Sequence, residues 1–162
     1  TAPFKILRAA QPHIKRLFLE EKENGITNFR KVVNISSTSG MFGNAGQINY
    51  ATAKAGVVGM AKTMAKEWGR YNVNVNAVGF GLIKTRLTDA DAEKEESLID
   101  IEGNKIKVGV NSAVFQSAKT MIPLGRPGTP QEAAGAIYMF CIPESNYVTG
   151  QILMCHGGGF GY

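Results

Sequence analysis

Two short apolar runs separated by one long helical stretch constrain this chain more than any other feature. Lys31-Val32-Val33-Asn34-Ile35 and Val73-Asn74-Val75-Asn76-Ala77-Val78 each read as a buried strand, predicted over residues 31–36 and 73–78, and serines followed by Gly40 end the first. Between them, residues 48–70 carry Ala51, Ala53, Ala55, Gly56, Gly59 and Ala61, with Val57, Val58, Met60, Met64 and Trp68 spreading apolar groups round much of a helix. A helix of that kind is buried on several sides: one covers a sheet, another is free for a partner subunit. Strand, helix, strand predicts a right-handed crossover between parallel strands, with function at the strand C-terminal ends. A helix over residues 2–22 precedes this unit and a last strand over 148–154 follows it. At 162 residues, 44% hydrophobic with 19 glycines, the chain is one domain's worth of an α/β protein.

The tip of the first strand carries the chemistry. Ser36-Ser37-Thr38-Ser39-Gly40 is followed by Tyr50-Ala51-Thr52-Ala53-Lys54, which brings a hydroxyl, a phenol and an ammonium into one stretch. Tyr50 and Lys54 lie one turn apart on the same helix face. A cation held there favours phenolate, which suits a tyrosine for proton transfer. A Tyr and a Lys at that spacing are common on helix surfaces; the whole string is not.

That string resembles the short-chain dehydrogenase/reductase family, whose mark is a serine, about thirteen residues, then Tyr-x-x-x-Lys. Here Tyr50 stands thirteen residues after Ser37, and Lys54 four after Tyr50. The intervening Gly43-Asn44-Ala45-Gly46-Gln47-Ile48-Asn49 is similar to the loop of the 3-oxoacyl carrier-protein reductases in particular. Gly79-Phe80-Gly81-Leu82-Ile83-Lys84-Thr85 resembles the family's turn after a strand, normally Pro-Gly-x-x-x-Thr; Phe80 stands where the proline would, so the rigidity proline gives the turn is lost. Gly125-Arg126-Pro127-Gly128-Thr129-Pro130-Gln131-Glu132 resembles the entry to the family's last long helix, with Thr129 as N-cap and Glu132 three positions on. His156 stands where the family usually has an acidic residue before Gly-Gly.

The resemblance implies the C-terminal part of a Rossmann-like doubly wound parallel sheet. No G-x-x-x-G-x-G stands before Ser37, and Thr1-Ala2-Pro3-Phe4-Lys5-Ile6-Leu7 is similar to the helix that follows a catalytic asparagine. The expectation is a single partial domain over 1–162, the catalytic half of a longer reductase, with a substrate lid at about 86–122. The resemblance makes Tyr50 the general acid/base, has Ser37 hydrogen-bond the substrate oxygen, and has Lys54 assist the tyrosine and hold the nicotinamide ribose. Tyr50, Lys54, Gly81, Ile83 and Thr85 become the cofactor contacts, for NAD or NADP. The implied reaction interconverts a ketone, such as a 3-oxoacyl thioester, and a secondary alcohol; the alternative is a non-catalytic oligomerisation or binding fragment. Expected partners are the carbonyl or acyl thioester substrate, further copies in a dimer or tetramer, and a chain carrying the N-terminal half.

Net charge of +5 invites a nucleic-acid reading, which needs a clustered patch. Lys5, Arg8, Lys15 and Arg16 instead share a helix with Phe4, Leu7, Ile14, Leu17 and Phe18, an ordinary amphipathic pattern. A positive field of this size suits an anionic cofactor, a coenzyme A ester or an acidic carrier. The acidic run 89–96 lacks ligand spacing, so no metal is expected. The longest apolar stretch, 136–142, is too short for a bilayer, and no secretory pattern opens the chain, so the cytoplasm or an organelle matrix is expected. Cys141 and Cys155 read as reduced core residues, Met64 and Trp68 as core or interface, His13 as a surface or interface residue and His156 as structural. In such a sheet the strand bearing Val32, Val33 and Ile35 is central, and one of its two neighbours is not readable in this chain. The chain alone is therefore expected to bind a dinucleotide poorly, and to associate with the missing half or aggregate.

Overall fold

The computed structural model describes residues 2–85, 98–101, 104–107, 117–118 and 120–159. In chain order the elements are α1 (Ala2–Glu23), β1 (Arg30–Ser37), α2 (Thr38–Phe42), α3 (Ile48–Trp68), β2 (Val73–Phe80), β3 (Leu98–Ile101), β4 (Asn104–Lys107), α4 (Pro130–Tyr138) and β5 (Ile152–Cys155), with short 3-10 turns at Gly69–Tyr71 and Pro143–Ser145. β1 and β2 pair in parallel from Arg30 opposite Val73 to Ser37 opposite Phe80, and β5 pairs in parallel with the far end of β2, giving the order β1-β2-β5. This is the expected α/β class, a parallel sheet with β2 in its centre.

Period-two alternation along β2 builds two cores. Val73, Val75 and Ala77 turn to one face, where they meet Ala61, Met64, Ala65 and Trp68 of α3. Val78 and Phe80 turn to the other, against Ala136 and Ile137 of α4 and Phe140 just beyond it. Helices therefore cover both faces, as a doubly wound sheet requires. The buried residues of α3 are Val58, Ala61, Met64, Ala65 and Trp68, a single stripe at helical spacing, so within this chain the helix is buried on one side rather than several. Met64 and Trp68 belong to the core. None of the residues of α1 is buried, and Phe4, Ile6, Leu17 and Leu19 stand exposed; an apolar groove of about 460 Å³ runs between α1 and α3, lined by Phe4, Leu7, Met60, Met64 and Trp68 among others.

Two local departures have physical causes. The last strand begins at Ile152 rather than at 148, because side chains interrupt the ladder below it: Asn74 Nδ2 donates to Asn146 O (3.0 Å), Asn76 Nδ2 to Val148 O (3.0 Å), Gln151 N to Asn76 Oδ1 (2.9 Å), and Val75 N to Thr149 Oγ1 (3.0 Å), among the main-chain bonds Gly150 N to Val75 O (2.8 Å) and Ala77 N to Gln151 O (2.9 Å). β2 runs on through Phe80, which unlike proline keeps its N–H, and the turn beyond is held by Gly81 N to Cys155 O (3.0 Å), Gly128 N to Leu82 O (3.0 Å) and Lys84 N to Gly128 O (2.8 Å). Hydrogen bonds thus replace the stiffness of the ring.

Cys141 is not a core residue. The 136–142 run is apolar throughout, but α4 ends at Tyr138 and buries only Ala133 and Ala136, with Phe140 beyond it, leaving Tyr138, Met139 and Cys141 exposed. Both thiols are free, and Cys155 is half-buried. Most of 86–122, the acidic run included, lies outside the described residues; within it β3 and β4 form an antiparallel pair, Leu98 opposite Lys107 and Ile101 opposite Asn104.

Candidate active site

Ser37 ends β1 and caps α2. Its backbone is extended (φ −148°, ψ 156°) and its Oγ accepts the Ser39 N–H at 3.2 Å, so the buried hydroxyl is pinned at the C-terminal end of the sheet. Its oxygen is engaged as an acceptor, while its proton is free to be donated.

α3 is set against this tip by its first turns. Ser36 Oγ donates to Lys54 O (2.9 Å), Ser39 Oγ to Gln47 Oε1 (3.0 Å), and Asn44 Nδ2 to the same Gln47 oxygen (3.0 Å). A Cβ built on Gly40 would come within 2.7 Å of Lys54, so only glycine lets α2 lie this close to α3. Tyr50 projects from the first turn of α3, 43% exposed, and the Lys54 ammonium lies 5.7 Å from its ring centroid. That places a cation against an accessible aromatic ring. Lys54 Nζ also donates to the main-chain oxygen of Ile35 (3.1 Å).

The residues expected to meet a cofactor follow β2. Gly81 packs on the far end of β5: a Cβ there would lie 2.7 Å from His156 Cβ and 3.7 Å from Thr38 Cγ2, so close packing alone requires glycine at this position. Ile83 forms a bridge with Gly128, and Thr85 is exposed. The structure therefore brings Tyr50 and Lys54 together beside the strand end that carries Ser37, and sets Gly81 beside Thr38. His13 is exposed; His156 accepts the Gly158 N–H on Nδ1 (3.0 Å), a structural role. Burial, and secondarily the Glu132 carboxylate, push the Cys155 thiol up. Among the described residues no group of three or more His, Cys, Asp or Glu converges to hold a metal ion, and no helix is long and apolar enough to cross a membrane.

One residue escaped the sequence reading. Asn34 stands between Val32 and Ser36 on the α3 side of β1, 7% exposed, and its amide nitrogen has no hydrogen-bond partner. A polar residue at an inward period-two position is the signal that would have found it.

A family model described as enoyl-(acyl carrier protein) reductase matches residues 3–159. Among curated proteins, a 3-oxoacyl-(acyl-carrier-protein) reductase of Thermotoga maritima is 42% identical over 127 residues, covering 78% of this chain and 44% of that protein. One of Aquifex aeolicus is 38% identical over 130 residues, covering 80% and 45%, and one of Synechocystis is 36% identical over 146 residues, covering 90% and 48%. The chain spans less than half the length of these relatives. A solved structure described as 4-hydroxyisoleucine dehydrogenase complexed with NADH superposes with a TM-score of 0.68 at 24% identity, covering 97% of this chain and 54% of that one. The likeness shows the fold, a part of a Rossmann-type sheet.

Proposed function

The chain belongs to the short-chain dehydrogenase/reductase family, and from that premise we propose that it is the catalytic part of an NAD(P)-dependent reductase acting on a 3-oxoacyl thioester or a similar ketone. The observation that carries this reading is the Lys54 ammonium held 5.7 Å from the Tyr50 ring, on a helix that the Ser36 hydroxyl ties to the strand end carrying Ser37. Tyr50 delivers the proton to the substrate oxygen, and the adjacent cation favours the charge left behind on the phenol. Ser37, its own oxygen already accepting from Ser39, donates its proton to the same substrate oxygen and fixes the carbonyl.

Lys54 and Tyr50 offer exposed polar groups at the strand ends that fit a nicotinamide ribose, while Gly81, Ile83 and Thr85 line the loop after β2 and suit its carboxamide end. The bound nicotinamide supplies the hydride. NAD and NADP both fit these residues. Exposed Phe4, Ile6, Leu17 and Leu19 and the groove between α1 and α3 support assembly with further copies. They also favour a second reading, in which the chain is a non-catalytic oligomerisation or binding fragment.

One experiment separates the two. The chain is mixed with the portion of the Thermotoga maritima reductase that it does not match, and oxidation of NADPH or NADH is followed with a 3-oxoacyl thioester. The proposal expects turnover that Tyr50→Phe abolishes; turnover unimpaired by that change would refute it, and assembly without turnover would favour the second reading.

A further inference from the structure

We propose that His156 is a pH-sensitive latch: while its ring is neutral it holds the glycine strip 157–159 against the Met121–Leu124 segment, and acid releases the two from each other. The bond that makes the latch is Gly158 N–H to His156 Nδ1 (3.0 Å), a side chain closing a turn over its own main chain two residues on. An imidazole nitrogen accepts only while it is bare, so the neutral ring carries its proton on Nε2, which has no hydrogen-bond partner among the described residues. A second proton turns Nδ1 into a donor, and two N–H groups then face each other. An asparagine or aspartate would accept the same N–H throughout the neutral range. Histidine is the side chain that changes charge there, between about pH 5 and 8.

The turn is tied to its surroundings on both sides. Leu124 N donates to Gly157 O (3.1 Å) and Gly159 N to His156 O (3.2 Å), so the strip is bonded to the neighbouring segment and back to the end of the strand. Gly157 and Gly158 have φ of 66° and 83°. A Cβ would come 2.7 Å from Ile122 Cγ2 at the first and 3.1 Å from Pro123 Cγ at the second, so only glycines lie this close. On its other side the main chain of His156 shoulders Gly81, in the turn after β2. The latch therefore stands between that turn and Met121 and Ile122, the last residues of the stretch expected to form the substrate lid.

The ionisable groups near the ring are few among the described residues. Gly81, Thr38 and Met121–Leu124, which surround it, carry none. Cys155, next in the chain, is kept protonated by burial and secondarily by Glu132. Glu132 is bonded to Arg126 (2.6 and 2.8 Å), and that pair stays ionised above about pH 4.5. What a loosened turn does to a bound cofactor rests on the reductase reading above; the latch itself does not.

The test is hydrogen exchange by NMR on the isotopically labelled chain at about pH 7.5 and 5, on either side of the usual histidine range, read as protection factors so that the intrinsic pH dependence divides out. Protection at the Gly158 and Leu124 amides falls about tenfold in acid, the scale of one lost hydrogen bond. The Ala77 amide, bonded to Gln151 O within the sheet, keeps its protection. His156→Asn, which has an acceptor at every pH, stays protected under both conditions; His156→Ala, which has none, is unprotected under both. Should the alanine variant fail to fold, the asparagine variant decides alone. Equal protection of the parent at the two pH values, a fall that His156→Asn shares, loss at Gly158 without loss at Leu124, or loss that reaches Ala77 in step would each overturn the inference. Absence of ketone reduction in the mixed assay would fail the reductase reading and leave these exchange results as they stand.

Discussion

A methyl group on Gly40 would lie 2.7 Å from both the main-chain carbon and the Cβ of Lys54. The contact is between two backbones, so no rotamer change relieves it, and α2 must move away from α3. Gly40→Ala should cost about 1–3 kcal/mol of stability, read as a lower urea midpoint. Because the same shift displaces Lys54 from Tyr50, turnover in the mixed assay should fall more than tenfold. Full activity in the alanine variant would mean that this contact does not set the site.

Tyr50→Phe removes the proton donor and leaves the ring. Loss of roughly 10²–10⁴-fold in turnover is expected, the usual scale of general acid/base catalysis. Lys54→Ala should lower the rate as well, since the ammonium beside the Tyr50 ring is gone; an undiminished rate would take the catalytic role away from Lys54.

Asn76 is 1% exposed and uses both ends of its side chain, donating to Val148 O (3.0 Å) and accepting from Gln151 N (2.9 Å). Asn76→Leu strands both main-chain groups and should destabilise by about 2–6 kcal/mol, taking about 1–3 per orphaned group. Equilibrium urea unfolding measures it; a loss under 1 kcal/mol would show that water serves the 148–151 segment as well.

Acid should loosen the start of α4. The Arg126 guanidinium, then the Thr129 N–H, hold the Glu132 carboxyl down to about 2 from an ordinary 4.5. The folded value lies below the unfolded one, so the stabilisation is complete above about pH 4.5 and is lost as the pH falls toward 2. Thermal midpoints recorded from pH 5 to 2 should drop less in Glu132→Gln than in the parent. Both partners are about half exposed, 53% and 45%, so 1 M salt should shrink the difference. Equal slopes in the two proteins would exclude this ion pair as the cause.

The β1-α3-β2 unit was legible because its signals are local: an apolar run closed by serines and glycine, then a long alanine-rich helix, then a second run. The Thr129 cap was legible for the same reason, and its reciprocal bonds with Glu132 are present at 2.8 and 3.2 Å. What escaped depends on distant partners. Nothing beside Val148 or Thr149 announces that Asn74 and Asn76, across the sheet, will replace the ladder there. Cys141 shares an unbroken apolar run with Phe140, yet only Phe140 meets Val78. The β3–β4 pair is announced by the apolar Leu98, Ile99 and Ile101 about Asp100, a four-residue signal without strict alternation that is easily lost inside a polar stretch.

The asparagine bonds that stand in for the lower part of the β2–β5 ladder also bear on the order in which the chain folds. They join positions 72 to 75 residues apart, whereas Lys31 and Asn74, across β1 and β2, are 43 apart. Closing the longer loop is entropically dearer, and its reward is a ladder of four residue pairs with side-chain bonds interleaved below it, against eight pairs between β1 and β2. The β1-α3-β2 unit should therefore consolidate early and the 146–155 segment arrive late, as the slow kinetic phase of refolding. In that interval β2 is unsheathed along one side, the described residues place no strand on the outer side of β1, and both long sides of the nascent sheet are available to a neighbouring chain.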